Sequence, residues 1–552
     1  MPKSGLRLAL LSATSFALAS CNSILDEDIV SGITADPYYS TPEGFVSAVN
    51  AAYEPLREFY ADEHGGNLTE YGTDEVTNAG HGSFRYMNFY DAELNADASP
   101  FSTIWSAFYQ AINTCNGVVG RAEAVEGLSA AERNAGVAEA RFLRAHYYFL
   151  LVQFFGDIHL TLEETIGVEV EARRDPASEV YGAIIEDLEF AIANLPAVQE
   201  DYGRATKPAA EHMLALVLLT RGSQPFGTPD DFSRAASLAE SVIGNYDFAL
   251  LDDYAAVFDH ANELHAEVIW SVQYTENQLV NGDGNRAHLF FRPWYENINP
   301  GVQRTGDSGF GRPWIRFRPT LWALENFRPL DVDSRYGKIF QDVWFYNQLG
   351  ADRGLVPPGA AVGDSAIVTP SWDLTDAEVG AYEARLPGVQ VVDWYTRTGT
   401  FINMFPSLKK HDDFKRGADI NETRGSRDFI VYRLAETHLV AAEAYFQTGD
   451  LAAAAEHLNV VRRRAAWPGM EAQMEISPAD VTLDFILDER TRELYGEYKR
   501  WLDLTRTGKL LERVRKYNPE AAPNIDEHHV LRPIPTDQIL RTAGGYGQNP
   551  GY

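Results

Sequence analysis

The sequence predicts a mainly α-helical protein: helix pairs stacked into a superhelical scaffold, interrupted by one long, irregular, loop-rich stretch. Three observations predict it. Several long segments carry apolar residues at i, i+3/i+4 spacing. One segment in the second half joins two such helices across a Gly-Asp turn, with small and aromatic residues where they would cross. Between about 244 and 425 the periodicity stops, and Gly, Pro, Asn and Asp become frequent among crowded aromatics.

Taken in order, the run from Gly136 to Phe155 is apolar on most sides, which predicts a helix enclosed by its neighbours. Pro176 opens the next helix. Val180, Tyr181, Ile184, Ile185, Leu188, Ala191 and Leu195 keep helical spacing, and Pro196 ends it. Thr206 is the expected N-cap of a helix that begins at Lys207-Pro208 and runs through Leu214, Leu218 and Leu219. Another spans about Phe232 to Ile243. Ala442, Tyr445, Gly449, Ala454 and Leu458 fall at the spacings of a tetratricopeptide repeat. The helices at 137–155 with 176–195, and at 207–221 with 232–243, supply two further candidate pairs. The middle stretch contains Phe290-Phe291-Arg292-Pro293-Trp294-Tyr295 and Gly311-Arg312-Pro313-Trp314-Ile315-Arg316-Phe317. It reads as long ordered loops with short helices and a few strands, and loops of that length are uncommon unless they do something. Regular helix is expected again from about 428 to 512, followed by an irregular end.

The chain opens with Lys3 and Arg7, an uncharged stretch from Leu8 to Ser20, and then Cys21 directly after small residues. The apolar run is too short to span a bilayer and reads as a signal peptide. Leu18-Ala19-Ser20-Cys21 resembles a bacterial lipoprotein lipobox, which implies cleavage before Cys21 and acylation of that residue. Two or more acyl chains suffice for stable anchoring at about 0.8 kcal/mol per buried CH₂. Asp26-Glu27-Asp28 follows in a polar stretch suited to a tether. The expected organisation is therefore a signal peptide over 1–20, a lipidated tether over 21–35, and one domain over 36–552. Within that domain, helical parts at about 36–243 and 426–552 flank the loop-rich insertion at about 244–425.

Composition narrows the function classes. Of 552 residues, 45% are apolar, enough for a large core, and only two are cysteines. With Cys21 acylated, Cys115 has no partner, so a disulfide framework is excluded. Cys115 lies in Trp105-x3-Tyr109-x2-Ile112-x2-Cys115, on an apolar helix face, and reads as a small core residue. The net charge of −32 falls to −34 once Lys3 and Arg7 leave with the signal. So acidic a surface argues against nucleic acid or anionic lipid as partners. It suits neutral ligands, and also a salty habitat where repulsion is screened within about 8 Å.

A set of collinear motifs covers nearly all of the chain after Cys21. They include Ala140-Arg141-Phe142-Leu143-Arg144-Ala145 with Tyr147-Tyr148, Phe155-Gly156-Asp157, and Gly203-Arg204-Ala205-Thr206-Lys207. In the second half come Arg433-Leu434-Ala435-Glu436, Leu458-Asn459-x2-Arg462-x-Arg464-Ala465, Glu489-Arg490-x2-Glu493-Leu494 and Arg500-Trp501-x-Asp503-Leu504-x-Arg506. Pro533-Ile534-Pro535 and Gln548-Asn549-Pro550-Gly551-Tyr552 complete the set. Together they resemble the SusD/RagB family of surface glycan-binding lipoproteins. In one departure, Ile158-His159 stands where the family usually has proline after Gly-Asp. The resemblance implies tetratricopeptide-like helix pairs with an irregular, ligand-facing half. It also implies a non-enzymatic role at the cell surface. A chain of this kind is anchored in the outer membrane, binds oligosaccharides or sometimes peptides, and acts as the lid of a partner SusC-like TonB-dependent transporter. No cofactor or metal is implied.

Neutral sugars present apolar faces and hydroxyls, so their sites need exposed aromatic planes flanked by Asp, Asn and Arg. Two segments have that mixture: Tyr71 to Tyr90, and the Arg292–Arg316 region. The expected ligand contacts are a stacking pair drawn from Tyr90, Trp294, Tyr295 and Trp314, with Asp74 and Arg85 hydrogen bonding. Trp105, Trp322 and Trp501 sit in helical contexts and are assigned to packing. Glu489, Glu493 and Glu497, at i, i+4 and i+8, invite comparison with a glycosidase carboxyl pair. Stacked among Arg490, Arg492, Arg500 and Arg506, they read instead as structural ion pairs. The histidines show no zinc-ligand spacing, and Asp331-x-Asp333 lacks the remainder of a calcium loop, with Tyr336 at position six. A surface glycoside hydrolase and a protein-binding scaffold that touches no sugar are the competing functions.

Overall fold

The computed structural model describes residues 39–306, 309–348, 357–372, 374–386, 388–392, 403–416 and 419–552. Cys21 and the expected signal and tether lie outside them. Ten helices carry the architecture: α1 (Pro42–Tyr53), α2 (Ser99–Arg121), α3 (Ala130–Phe155), α4 (Ala177–Asn194), α5 (Lys207–Gly222), α6 (Asp231–Gly244), α7 (Leu434–Thr448), α8 (Leu451–Ala465), α9 (Leu483–Leu494) and α10 (Arg500–Arg506). Each of α1 to α8 packs against the next in the chain. The stack does not pause at the insertion, because α6 packs directly on α7 although some 190 residues separate them.

Local chemistry explains the helix ends. α3 begins seven residues before the expected 137–155 helix, where Ser129 and Glu132 form a reciprocal capping box. Thr206 caps α5, accepting from the Ala209 N–H at 3.4 Å, with Pro208 in the first turn. Between α7 and α8, Gly449 adopts φ 86°, a left-handed cap that L-residues resist. Asp450 then accepts from the Ala453 N–H at 3.0 Å and opens α8. Helix α3 is buried nearly all round from Gly136 onward. Its Arg144 makes two 2.7 Å bonds to Asp187 on α4 and one of 2.7 Å to Asn116 on α2.

Among the described residues nine short strands complete the order: β1 (Val76–Asn78), β2 (Val268–Val272), β3 (Phe317–Pro319), β4 (Phe340–Gln341), β5 (Val343–Phe345), β6 (Ser365–Val368), β7 (Gln390–Val391), β8 (Ser407–Leu408) and β9 (Phe429–Arg433). The region expected to turn helical at about 428 therefore starts as a strand. Its residues Phe429-Ile430-Val431-Tyr432 are β-branched or aromatic, and with Arg433 they pair antiparallel with β2, setting Val272 opposite Phe429 and Val268 opposite Arg433. This ladder clasps the two ends of the insertion. β1 pairs with β3, β4 with β8, and β5–β6–β7 form a small mixed sheet. One large core runs from Phe45 and Val49 through α3 to Trp501, Ile534 and Tyr546. It also takes in Phe290, Phe317 and Leu408 of the insertion.

The three glutamates Glu489, Glu493 and Glu497 are buried in ion pairs, as their setting predicted, but mostly with other partners. Glu489 binds Arg335 at 2.8 Å and Arg462 at 2.6 Å. Glu493 binds Arg433 at 2.6 Å and Arg335 at 3.1 Å, and also Arg464. Glu497, past the end of α9, binds Lys410 at 2.6 Å and Arg433 at 2.9 Å. Of the arginines expected beside them only Arg492 joins, at 2.7 Å from Glu489. Arg490 and Arg506 serve Asp503, at 2.6 and 2.9 Å, while Arg500 serves Asp74.

Candidate functional site, an aromatic face on the insertion

The short ladder of β1 and β3 joins the two segments singled out in the sequence, with Asn78 opposite Phe317. The Ala79 N–H continues it to the Arg316 carbonyl at 3.1 Å. A third segment lies alongside: Trp314 donates from its backbone to Leu289 at 2.9 Å, Ile315 to Arg292 at 3.3 Å, and Arg316 to Phe290 at 3.0 Å. Residues 81–86, 289–294 and 313–317 are thereby brought into one region.

Within it, Trp294 is 42% exposed. Its backbone N–H is tied to Asn403 at 2.9 Å, so the ring is presented from a fixed position. Trp314 is half-buried, with Phe290 5.8 Å away and the Arg316 guanidinium 5.3 Å from its ring centre. Arg316 is itself neutralised by Glu63. Arg85 is exposed, and no carboxylate lies within 4 Å of it among the described residues. Half-buried Phe84 stands edge-on to His64 at 6.0 Å and to Tyr86 at 6.3 Å. His81 accepts from the Ser83 N–H, and burial together with the nearby Arg316 lowers its pKa, favouring the neutral ring.

Three expected contacts are corrected. Asp74 is fully buried, with both oxygens engaged: Arg500 at 2.7 and 2.6 Å, and Arg513 at 2.6 Å. Those guanidinium groups outweigh burial and hold its carboxyl below the usual range. Tyr90 is buried with its hydroxyl on the Gly72 carbonyl at 3.0 Å, and its ring 4.9 Å from His529. Tyr295 is buried, donating to the Gly311 carbonyl at 2.8 Å and stacked 6.2 Å from Trp344. All three hold the loops from within. Trp294, Trp314 and Arg85 keep accessible surface. Trp105 and Trp501 are buried, and Trp322 stacks on Tyr517 at 4.6 Å.

Sequence reasoning did not single out Phe84, Tyr86 or His64. Gly82-Ser83-Phe84-Arg85-Tyr86 held a signal, an aromatic–basic alternation after glycine, but its strain did not. Among the described residues, five that are not glycine have positive φ: Ala61 (63°), Phe84 (53°), Tyr90 (50°), Ile315 (49°) and Tyr498 (61°). Two of them, Phe84 and Ile315, lie in this region. Strain of about 1–3 kcal/mol per residue persists where surrounding structure over-determines it, typically at ligand-facing sites.

A scaffold of stacked helix pairs that carries an ordered, loop-rich insertion defines a class of fold. Comparison places the chain within that class. The family model described as "SusD family" matches residues 266–552, and one described as "Starch-binding associating with outer membrane" matches 44–219. The chain belongs to the SusD family. It is 26% identical to "SusD-like protein P2" of Formosa agariphila, over 97% of each chain. Its fold matches a "Laminarin binding SusD-like protein" at TM-score 0.70 and 24% identity, covering 93% of this chain and all of that one. It also matches "Surface glycan-binding protein A" of Bacteroides thetaiotaomicron, solved with laminarihexaose, at TM-score 0.67 and 22% identity, covering 92% and 99%.

Proposed function

We propose that the protein captures oligosaccharides at the cell surface on the aromatic face formed by Trp294, Trp314 and Phe84, with Arg85 donating to sugar hydroxyls. The observation that carries the reading is Trp294, a large ring 42% exposed at a backbone-fixed position beside a strained, well-packed loop core. Sugar rings bind by laying C–H faces on such planes. A laminarin-binding structural neighbour and one solved with laminarihexaose support glucans as the ligand class. Acylation of Cys21 would hold the chain to the outer membrane, and delivery to a SusC-like TonB-dependent transporter, with this chain as its lid, completes the proposed role. A non-catalytic role agrees with the glutamates nearest to a glycosidase pattern being spent on buried arginines.

The test is calorimetry with a glycan panel that includes laminarin oligosaccharides. Trp294→Ala combined with Trp314→Ala is expected to weaken binding by about tenfold or more, about 1.4 kcal/mol, with the thermal midpoint retained. Unchanged affinity for a confirmed glycan would remove the face from the site, and product formation from any glycan would make the protein an enzyme.

A further inference from the structure

A second cleft, of about 160 Å³, lies between the 3₁₀ turn and loop at 255–260, the end of the short helix Arg335–Ile339 and the 409–414 segment. It shares no lining residue with the aromatic face. In a chain of net charge −32, its walls carry Lys338, Lys409, Lys410 and Arg427 against Asp259 and Asp412. Three of the cations are already answered. Lys410 is held by Glu497 at 2.6 Å, Lys338 by Asp253 at 3.0 Å, and Arg427 donates to the Asp412 carbonyl at 3.0 Å. Lys409 is different. It donates to the Gly337 carbonyl at 3.3 Å, and among the described residues no carboxylate lies within 4 Å of its ammonium.

His260 faces the same cleft. It is 1% exposed, and neither ring nitrogen has a hydrogen-bond partner, the nearest carboxylates being Asp413 at 3.8 Å and Glu263 at 3.9 Å. Burial, with Arg427 and Lys415 nearby, outweighs Asp413 and holds its pKa down to about 4. The neutral ring still has one N–H to donate, and a buried polar group left unsatisfied costs about 1–3 kcal/mol. Beside it stands Phe414, its ring 5.0 Å from His260 and 44% exposed. An ammonium that Asp412 and Asp342 reach only from beyond contact distance, an unspent buried donor and an apolar plane together fit a ligand with a negative oxygen group on a ring that has an apolar face.

We propose that this cleft is a second binding site, for an oxyanion borne on a sugar ring: the carboxylate of a uronic acid or a sulfate ester. Lys409 and the His260 N–H hold the anion, and Phe414 covers the ring. The site is independent of the aromatic face and stands or falls separately from it.

The experiment titrates the full chain, at constant ionic strength, with methyl glucuronide, glucose 6-sulfate, methyl glucoside and sodium sulfate. Calorimetry reports binding and imidazole NMR follows His260. Both acidic sugars are expected to bind, sulfate to compete with them, methyl glucoside to leave the cleft empty, and the His260 pKa to rise on binding. Lys409→Met is expected to weaken the acidic sugars by about tenfold or more, Lys409→Arg to recover most of that, and Trp294→Ala/Trp314→Ala to change nothing. The proposal is overturned if neither acidic sugar binds, if Lys409→Met binds as well as wild type, or if the His260 resonance is unmoved by a bound acidic sugar. Binding of sulfate alone would overturn the sugar assignment.

Discussion

Glu70 and Glu75 show how one residue's environment sets a global property. Both are buried, neither oxygen of Glu70 has a hydrogen-bond partner, and Oε2 of Glu75 has none either. The nearest cation, Arg500, stands 3.5 Å from Glu75 but is already committed to Asp74 by two shorter bonds. Burial therefore dominates. It raises Glu75 to about 7, with Arg500 opposing and Asp74 adding, and it also raises Glu70 well above the usual carboxylate range, with Glu75 adding. A carboxyl whose pKa is higher folded than unfolded binds more protons in the native state, so stability falls as pH rises through that interval, here from about 4.5 to 7. Glu75→Gln mimics the protonated form. It is expected to stabilise the chain by roughly 1–3 kcal/mol at pH 8 and to change little at pH 4.5. Denaturant titrations at the two pH values check this, and equal effects at both would show that Glu75 titrates normally.

Among the elements, the clasp at the ends of the insertion depends on ion pairing in a place where water cannot help. Arg433 closes β9 and bonds Glu267 beside β2 at 3.0 Å, Glu493 on α9 at 2.6 Å, and Glu497 at 2.9 Å. Arg464 of α8 reaches Glu267 at 2.8 Å and Glu493 as well. Glu493→Gln leaves three buried guanidinium groups short of one negative charge. It is expected to cost about 3–5 kcal/mol, with little relief from salt, because the pairs are shielded from solvent. Equilibrium unfolding in low and high salt measures both. Only part of this was legible in the sequence. That Glu489, Glu493 and Glu497 would pair with arginines follows from helix spacing, which is local. That the arginines would be Arg335, Arg433 and Arg464 does not, because the fold brings them from other elements. The same distinction separates the helices from the site. Apolar periodicity and caps such as Thr206 located α4, α5 and α6 within a few residues. Asp74 looked ligand-facing until Arg500 and Arg513, more than 400 residues away, claimed both its oxygens. Tyr295 was equally ambiguous, since an aromatic in a loop reads alike whether it meets solvent or Trp344.

For the molecule as a whole, the question is whether the insertion is a passenger on the scaffold or a part of it. The helical stack runs straight past the insertion from α6 to α7, which would allow an independent unit. The core says otherwise. Phe290, Phe291, Phe317, Phe327, Phe340 and Leu408 all join the cluster that also contains Phe154, Tyr495 and Trp501. Phe291 lies 6.4 Å from Tyr495 and Phe340 5.4 Å, so insertion rings interleave with the segment that follows α9. A smaller cluster around Tyr295, Trp344, Ile367 and Met404 is separate, but Trp314 ties the face beside it back to Phe290. Cooperative units follow contiguous buried contacts. The chain is therefore expected to unfold in a single transition, with helix loss in circular dichroism coinciding with the change in tryptophan fluorescence. Replacing Phe291 by Ala should move both probes together by about 3–5 kcal/mol, as for an aromatic deleted from one shared core. If the fluorescence transition alone moved while the helices melted unchanged, the insertion would be a separate folding unit, and the rigidity invoked for Trp294 would have to come from its own small cluster.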